Sequence, residues 1–169
     1  MTVELAVSPR GPYSLALSAR LAGDPTRRVR DGVVTALIEV DGHPELTYAA
    51  QSPDGTLTIR AGSGPGAERL RWILALDDDH APFLRLVRDD PLLGRASREL
   101  RGLRQVRTAT VAHALLRAVS GQLIDWHSAR TLERHVIRAL SSSGPDGLFT
   151  APTTRALAET TPSELRRLG

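Results

Sequence analysis

Thr108-Ala109-Thr110-Val111-Ala112-His113-Ala114-Leu115-Leu116-Arg117-Ala118-Val119-Ser120-Gly121-Gln122-Leu123-Ile124-Asp125 reads as a helix, a turn and the start of a second helix. Thr108 or Thr110 can N-cap the first helix, and Val111, Leu115, Leu116 and Val119 recur on one face at helical spacing. Gly121 stands just past the last periodic residue, where a left-handed glycine is expected to stop the helix; Asp125 is placed to cap the next one. The turn then presents Gln122 and Leu123. A leucine beside an amide at the tip of such a turn either packs against the next helix or enters another molecule as a finger.

Downstream, Trp126 to about Ser141 is a second amphipathic helix, with Trp126, Ala129, Leu132, Val136, Ile137 and Leu140 opposite Arg130, Arg134 and Arg138. Residues 141–147 read as a loop. A short helix is expected after Pro152, and Thr161-Pro162-Ser163-Glu164 is a capping box that opens one more. Upstream, Arg95, Arg98, Arg101, Arg104 and Arg107 recur about every three residues and predict a drifting basic stripe on a helix. Such a stripe is usually a solvated face, but this one leads directly into the helix and turn above.

The first sixty or so residues carry β signals. Val3, Leu5 and Val7 alternate with polar neighbours, Val33–Val40 is rich in β-branched residues, and Leu46–Gln51 and Thr56–Ala61 flank an Asp54-Gly55 turn. The segment from Pro12 to Ala22 fits helix slightly better than strand, and helices are needed to cover one face of a sheet of about four strands. Ala61-Gly62-Ser63-Gly64-Pro65-Gly66 resembles a phosphate loop only in its glycines. It lacks the Gly-Lys-Ser/Thr ending and is expected to be a linker. Helical patterns follow over Ala67–Leu76 and Ala81–Arg88, with Asp77-Asp78-Asp79 expected to cap rather than to bind metal, and Asp89-Asp90-Pro91 closing the second.

The 169 residues, 41% hydrophobic and 24% charged, suffice for one substantial core or two small modules. No apolar run approaches the roughly 20 residues of a bilayer span, so no membrane partner is expected and the cytoplasm is the default location. Cysteine is absent, which removes disulfides, thiol nucleophiles and thiolate zinc sites. His43, His80, His113, His127 and His135 never stand four apart, and no metal site or cofactor is expected. Every basic side chain is arginine. That is either a codon bias or a surface suited to forked phosphate contacts, and the net charge of +3 permits nucleic-acid binding without requiring it.

Ala118-Val119-Ser120-Gly121-Gln122-Leu123-Ile124 resembles the apolar-Gly-Gln-Gln/Leu-apolar signature of the AlkA-type DNA-3-methyladenine glycosylases, in the helix-hairpin-helix DNA glycosylase superfamily. Gly102-Leu103-Arg104 upstream and the segment from Pro152 through Leu165-Arg166-Arg167-Leu168-Gly169 are similar to the same family, as is the order of the β-rich front part. The similarity extends over nearly the whole chain, and its specific element is the Gly-Gln-Leu turn.

The resemblance implies an α+β fold: a small antiparallel sheet with packed helices, followed by an all-α, partial glycosylase domain. It divides the chain into a β-rich core at 1–65, connecting helices and an Arg-rich segment at 66–107, and the first helices of an incomplete helical domain at 108–169. It also implies base-excision repair of alkylated, 3-methyladenine-like bases by base flipping, with double-stranded DNA as partner. Leu123 stands where the family's wedge leucine would be, Gln122 could bond base edges beside the gap, and Arg104 and Arg107 would meet the DNA backbone. Asp125 replaces the serine often found there.

The family's glycine-rich hairpin and catalytic aspartate would lie beyond Gly169, in a C-terminal part that would be a further partner. Asp77, Asp78, Asp79 and Asp146 match the wrong positions, so no catalytic residue is assigned. The alternatives are a non-catalytic DNA-binding or regulatory remnant of this scaffold, and a scaffold that binds no nucleic acid.

Overall fold

The computed structural model describes residues 2–20, 24–123 and 125–168, with Leu123 described for its backbone only. The front of the chain forms five strands, β1 (Val3–Val7), β2 (Arg27–Arg30), β3 (Val33–Val40), β4 (His43–Gln51) and β5 (Leu57–Ala61), in the spatial order β1-β5-β4-β3-β2. All neighbours are antiparallel. The β4–β5 hairpin closes where the Asp-Gly signal lies, with Gly55 at φ +91° and Gln51 opposite Leu57.

Alternation along the strands sends Val34, Ala36, Ile38, Ala49, Leu57 and Ile59 to one face. Two helices cover that face: α1 (Leu15–Arg20) through Leu15 and Ala19, and α2 (Gly64–Ile73) through Ala67, Leu70 and Ile73. The sheet thus has one strand more than expected. β2, Arg-Arg-Val-Arg, is an edge strand without the apolar alternation that marks the others.

The glycine-rich stretch is a helix start rather than a linker. Ser63 N-caps α2, accepting from the Gly66 N–H at 3.0 Å, while its hydroxyl and N–H donate to the Glu45 carboxylate at 2.7 and 3.0 Å. Glu45 lies so close that a Cβ on Gly66 would meet its carboxylate oxygen. A carboxylate from β4 therefore fills the place at the α2 N-terminus where an outside anion would sit.

After α2 come α3 (Ala81–Leu86) and α4 (Leu93–Glu99). Asp79 and Asp90 bond the N–H groups of Ala81 and of Leu92 and Leu93, each at 2.8 Å, so these two acids act as caps. Helix α4 ends sooner than the arginine spacing suggests. Gly102, at φ +92°, turns the chain away and packs so tightly on Ser14 that a Cβ would lie 2.9 Å from its amide nitrogen. Arg101, Arg104 and Arg107 consequently leave the helix, and the expected basic stripe is broken.

The rest is helical: α5 (Val111–Leu123), α6 (Trp126–Leu140), a short 3-10 turn at Pro145–Gly147, α7 (Thr154–Glu159) and α8 (Pro162–Leu168). The loop at Gly144 packs on Leu37, on the sheet face opposite α1 and α2. The capping box forms as expected, with the Thr161 N–H donating to Glu164 at 2.8 Å. No described helix is long and apolar enough to cross a membrane.

Candidate nucleic-acid interface

Helix α5 starts at Thr110, whose hydroxyl accepts from the His113 N–H at 3.0 Å and donates to the Pro152 carbonyl at 2.8 Å. The helix does not stop at Gly121. That residue stays helical and exposed, and Gln122 and the Leu123 backbone extend the last turn. A Cβ placed on Gly121 would meet nothing within 4 Å, so packing does not demand a glycine there. Asp125 caps α6 as expected, accepting from His127 and Ser128 N–H groups at 2.9 and 3.1 Å. The Ser128 bonds, above all, hold its carboxyl below the usual carboxylate range. Gln122 is exposed at this corner; the Leu123 side chain and Ile124 lie outside the described residues.

The faces of α5 are reversed relative to the sequence expectation. Val111, Leu115 and Val119 are exposed, and Trp126 at the start of α6 is 74% exposed. The inward face carries Ala112, His113 and Ser120 instead. The reason is polar: α5 and α6 meet around a buried ion cluster. His113 Nε2 lies 2.8 Å from Glu133 Oε1, Arg117 donates to Glu133 and to Asp24 at 2.8 Å each, and Arg130 reaches Glu133 at 3.2 Å. Arg27 on β2 donates to Asp24 at 3.1 Å, so the cluster joins the sheet edge to both helices.

Burial on its own raises the pKa of both carboxyls. For Asp24 the Arg27 guanidinium leads the charges and bonds that outweigh it; for Glu133 the hydrogen bonds from His113 and Arg117 do. Both end below the usual carboxylate range. Asp24, His113 and Glu133 bring donor atoms within 4.8 Å of one another, a possible metal set that histidine spacing does not reveal. Their oxygens are already held by arginines. A dication would have to displace two guanidinium contacts at 2.8 Å against like charge, and the set is read as an ion network.

The two arginines expected at DNA are tied into the fold. Arg104 is 1% exposed, lies over the Tyr13 ring, and donates to the carbonyls of Ala75 at 2.7 Å and of Leu76, Arg10 and Pro12. Arg107 grips both Asp78 oxygens at 2.8 Å, bonds the Trp72 carbonyl at 2.6 Å and stacks on the Trp72 ring. They hold the 101–110 segment to α2 and α1 and leave no open guanidinium fork. The structure places Gln122 and Asp125 at an exposed corner and engages the guanidinium groups of Arg104 and Arg107 with the fold.

Sequence reasoning missed Asp24, His113, Arg117 and Glu133 as a unit. A signal existed: Glu133 falls on the same helical stripe as Ala129, Val136 and Ile137, which are buried.

No protein-family model and no curated sequence matches the chain. Among solved structures it is similar to the 3-methyladenine DNA-glycosylase from Archaeoglobus fulgidus, with a TM-score of 0.82 and 18% identity over 98% of this chain and 61% of that one. It is similar to MBOgg1 in complex with a low-affinity DNA ligand, at TM-score 0.75 and 14% identity over 98% of this chain and 57% of that one. A third is the Clostridium acetobutylicum 8-oxoguanine glycosylase/lyase in complex with dsDNA, at TM-score 0.73 and 14% identity over 99% of this chain and 59% of that one. The chain spans about three-fifths of the length of these structures. Over that span it shares the α+β fold of these solved structures.

Proposed function

We propose that this chain is the front portion of a DNA glycosylase-type base-excision protein that recognises alkylated, 3-methyladenine-like bases in duplex DNA and acts in the cytoplasm. The observation that carries this reading is the α5–α6 corner, where an exposed Gln122 lies in the last turn of α5 just ahead of a capped helix, on a fold shared with solved DNA glycosylases. Leu123 is the proposed wedge that fills the gap left by an extruded base, with Gln122 bonding base edges beside it. The bare Gly121 supports this, because it leaves room for a ligand to approach the backbone closely.

In this reading none of the acids considered as candidates supplies the chemistry. Among the acids considered as candidates, Asp77 and Asp78 pair with Arg71 and Arg107, Asp146 pairs with Arg28, and Asp79 is a cap. Each is committed to the fold. That observation favours the second reading, a DNA-binding remnant without catalysis, equally for the chain in isolation.

Incubation with alkylated duplex DNA tests the assignment. The chain should retard the duplex on a gel, in a salt-sensitive way, and release no methylated base. Turnover would overturn the placement of the chemistry, and failure to bind DNA at low salt would overturn the function.

A further inference from the structure

Helix α6 carries a row of side chains that the proposed wedge does not use. Trp126, Arg130, Arg134 and Arg138 stand four residues apart and follow one another along a slowly winding stripe. From Trp126 to Arg138 the stripe runs about 18 Å along the helix axis.

The row begins at the corner. Trp126 directly follows the Asp125 cap, and its indole is 74% exposed although its spacing predicts a buried position. The Arg130 guanidinium lies over the ring, 5.7 Å from its centroid, and is itself held by Glu133 at 3.2 Å. An indole steadied in this way by a cation keeps a face for a flat stacking partner. Farther along, Arg134 and Arg138 are exposed. Among the described residues neither has an ion-pair partner, whereas Arg71, Arg95, Arg107 and Arg155 do. Glu133 is the one acid in α6, and it is buried against His113, Arg117 and Arg130.

An open indole at the head of a row of cations has a definite complement. A duplex backbone would answer the arginines, but its bases stack on one another and leave no face for Trp126. An acidic peptide would answer the arginines and bring no flat ring to the indole. An unpaired strand brings both, phosphates along its length and bases free to stack on an aromatic side chain. A strand loses its pairing where a base has been turned out of the duplex, which is the event assigned to this corner.

We propose that the α6 stripe is a track for a short unpaired stretch of DNA, with Trp126 stacking on a base next to the corner and Arg134 and Arg138 holding phosphates of the same strand. The proposal rests on the DNA reading of the α5–α6 corner and extends it to the strand that leaves it. About four nucleotides would occupy the track, at the small end of single-strand sites.

The test uses tryptophan emission. The chain has two tryptophans, so Trp72→Phe leaves Trp126 as the sole reporter. In that background the full chain is titrated at low salt with three DNAs: an oligothymidylate of about eight nucleotides, a blunt duplex, and the same duplex with a gap of about four nucleotides. The oligothymidylate and the gapped duplex should quench the emission, and the blunt duplex should leave it unchanged. By anisotropy of labelled DNA, Trp126→Ala should weaken binding to both unpaired substrates about tenfold and spare the blunt duplex, while Trp126→Phe keeps most of the affinity. Arg134→Gln/Arg138→Gln should lower the slope of log affinity against log salt on the single strand by about 1.4, the share of two phosphates. Far-UV circular dichroism checks that each variant is folded.

Absence of quenching by both unpaired substrates, an equal loss on all three DNAs in Trp126→Ala, or an unchanged salt slope in the arginine pair would overturn the proposal. So would tighter binding of a Glu-rich helical peptide than of the single strand. The readings separate cleanly. Duplex binding without quenching by the unpaired substrates sinks the track alone, quenching by the single strand without duplex binding sinks the duplex assignment alone, and no binding to any of the three sinks both.

Discussion

The sheet layer and the helical layer use their apolar side chains in opposite ways. In the first, Ile59, Leu70 and Leu74 have no exposed surface, and two helices close over the strands. In the second, Val111, Leu115, Val119 and Trp126 face outward and the junction is held by a polar cluster. A closed core folds by its own burial. In the helical layer the apolar side chains of Val111, Leu115, Val119 and Trp126 therefore contribute little to the closed core.

That contrast can be broken most forcefully at the cluster. Glu133→Ala leaves Arg117, Arg130 and His113 without their shared acceptor and is expected to cost about 3–5 kcal/mol in urea unfolding. A loss under about 1 kcal/mol would mean that the ionic junction is not what joins the layers. Leu70→Ala, in the closed core, is expected to cost about 2–5 kcal/mol. The open face gives the opposite result: Val119→Ser should change stability by no more than about 0.5 kcal/mol.

Acid provides a further division. Asp24 and Glu133 have folded-state pKa values below their ordinary ones, so the stability they contribute is complete above the usual carboxylate range. It is lost as the pH falls through the depressed values. An Asp24→Asn/Glu133→Gln chain should start less stable at neutral pH and lose less between neutrality and pH ~3. Identical acid profiles would contradict the assignment.

At the corner the expected change has the opposite sign. Gly121→Ala should stabilise the chain by about 0.5–1 kcal/mol, since the position is helical and open, while weakening its grip on DNA. Gain in both would remove close backbone approach as the reason for the glycine.

Much of the fold was legible because local signals agreed with the tertiary result. The alternation of Val3, Leu5 and Val7, the Asp54-Gly55 turn, the Asp125 cap and the capping box at Thr161 each depend on near neighbours. What stayed hidden depends on distant ones. Strand β2 is built from arginines, and the buried one, Arg27, is neutralised by Asp24 and bonded to the Arg107 carbonyl. The regular arginine spacing from Arg95 to Arg107 was cut by Gly102 packing on Ser14. Helix α5 turned its apolar stripe outward because His113 and Arg117 had carboxylates to meet. At the candidate site, the corner and its Asp125 cap were readable, whereas the burial of Arg104 was not.

The most direct test concerns the proposed wedge. Affinity for a duplex bearing an abasic-site mimic and for the intact duplex should be measured at one salt concentration, for the chain and for Leu123→Ala. The account predicts that the chain prefers the gapped duplex and that Leu123→Ala loses this preference while keeping its affinity for intact DNA and its salt slope. Equal weakening on both duplexes, or a preference that survives the substitution, would contradict it.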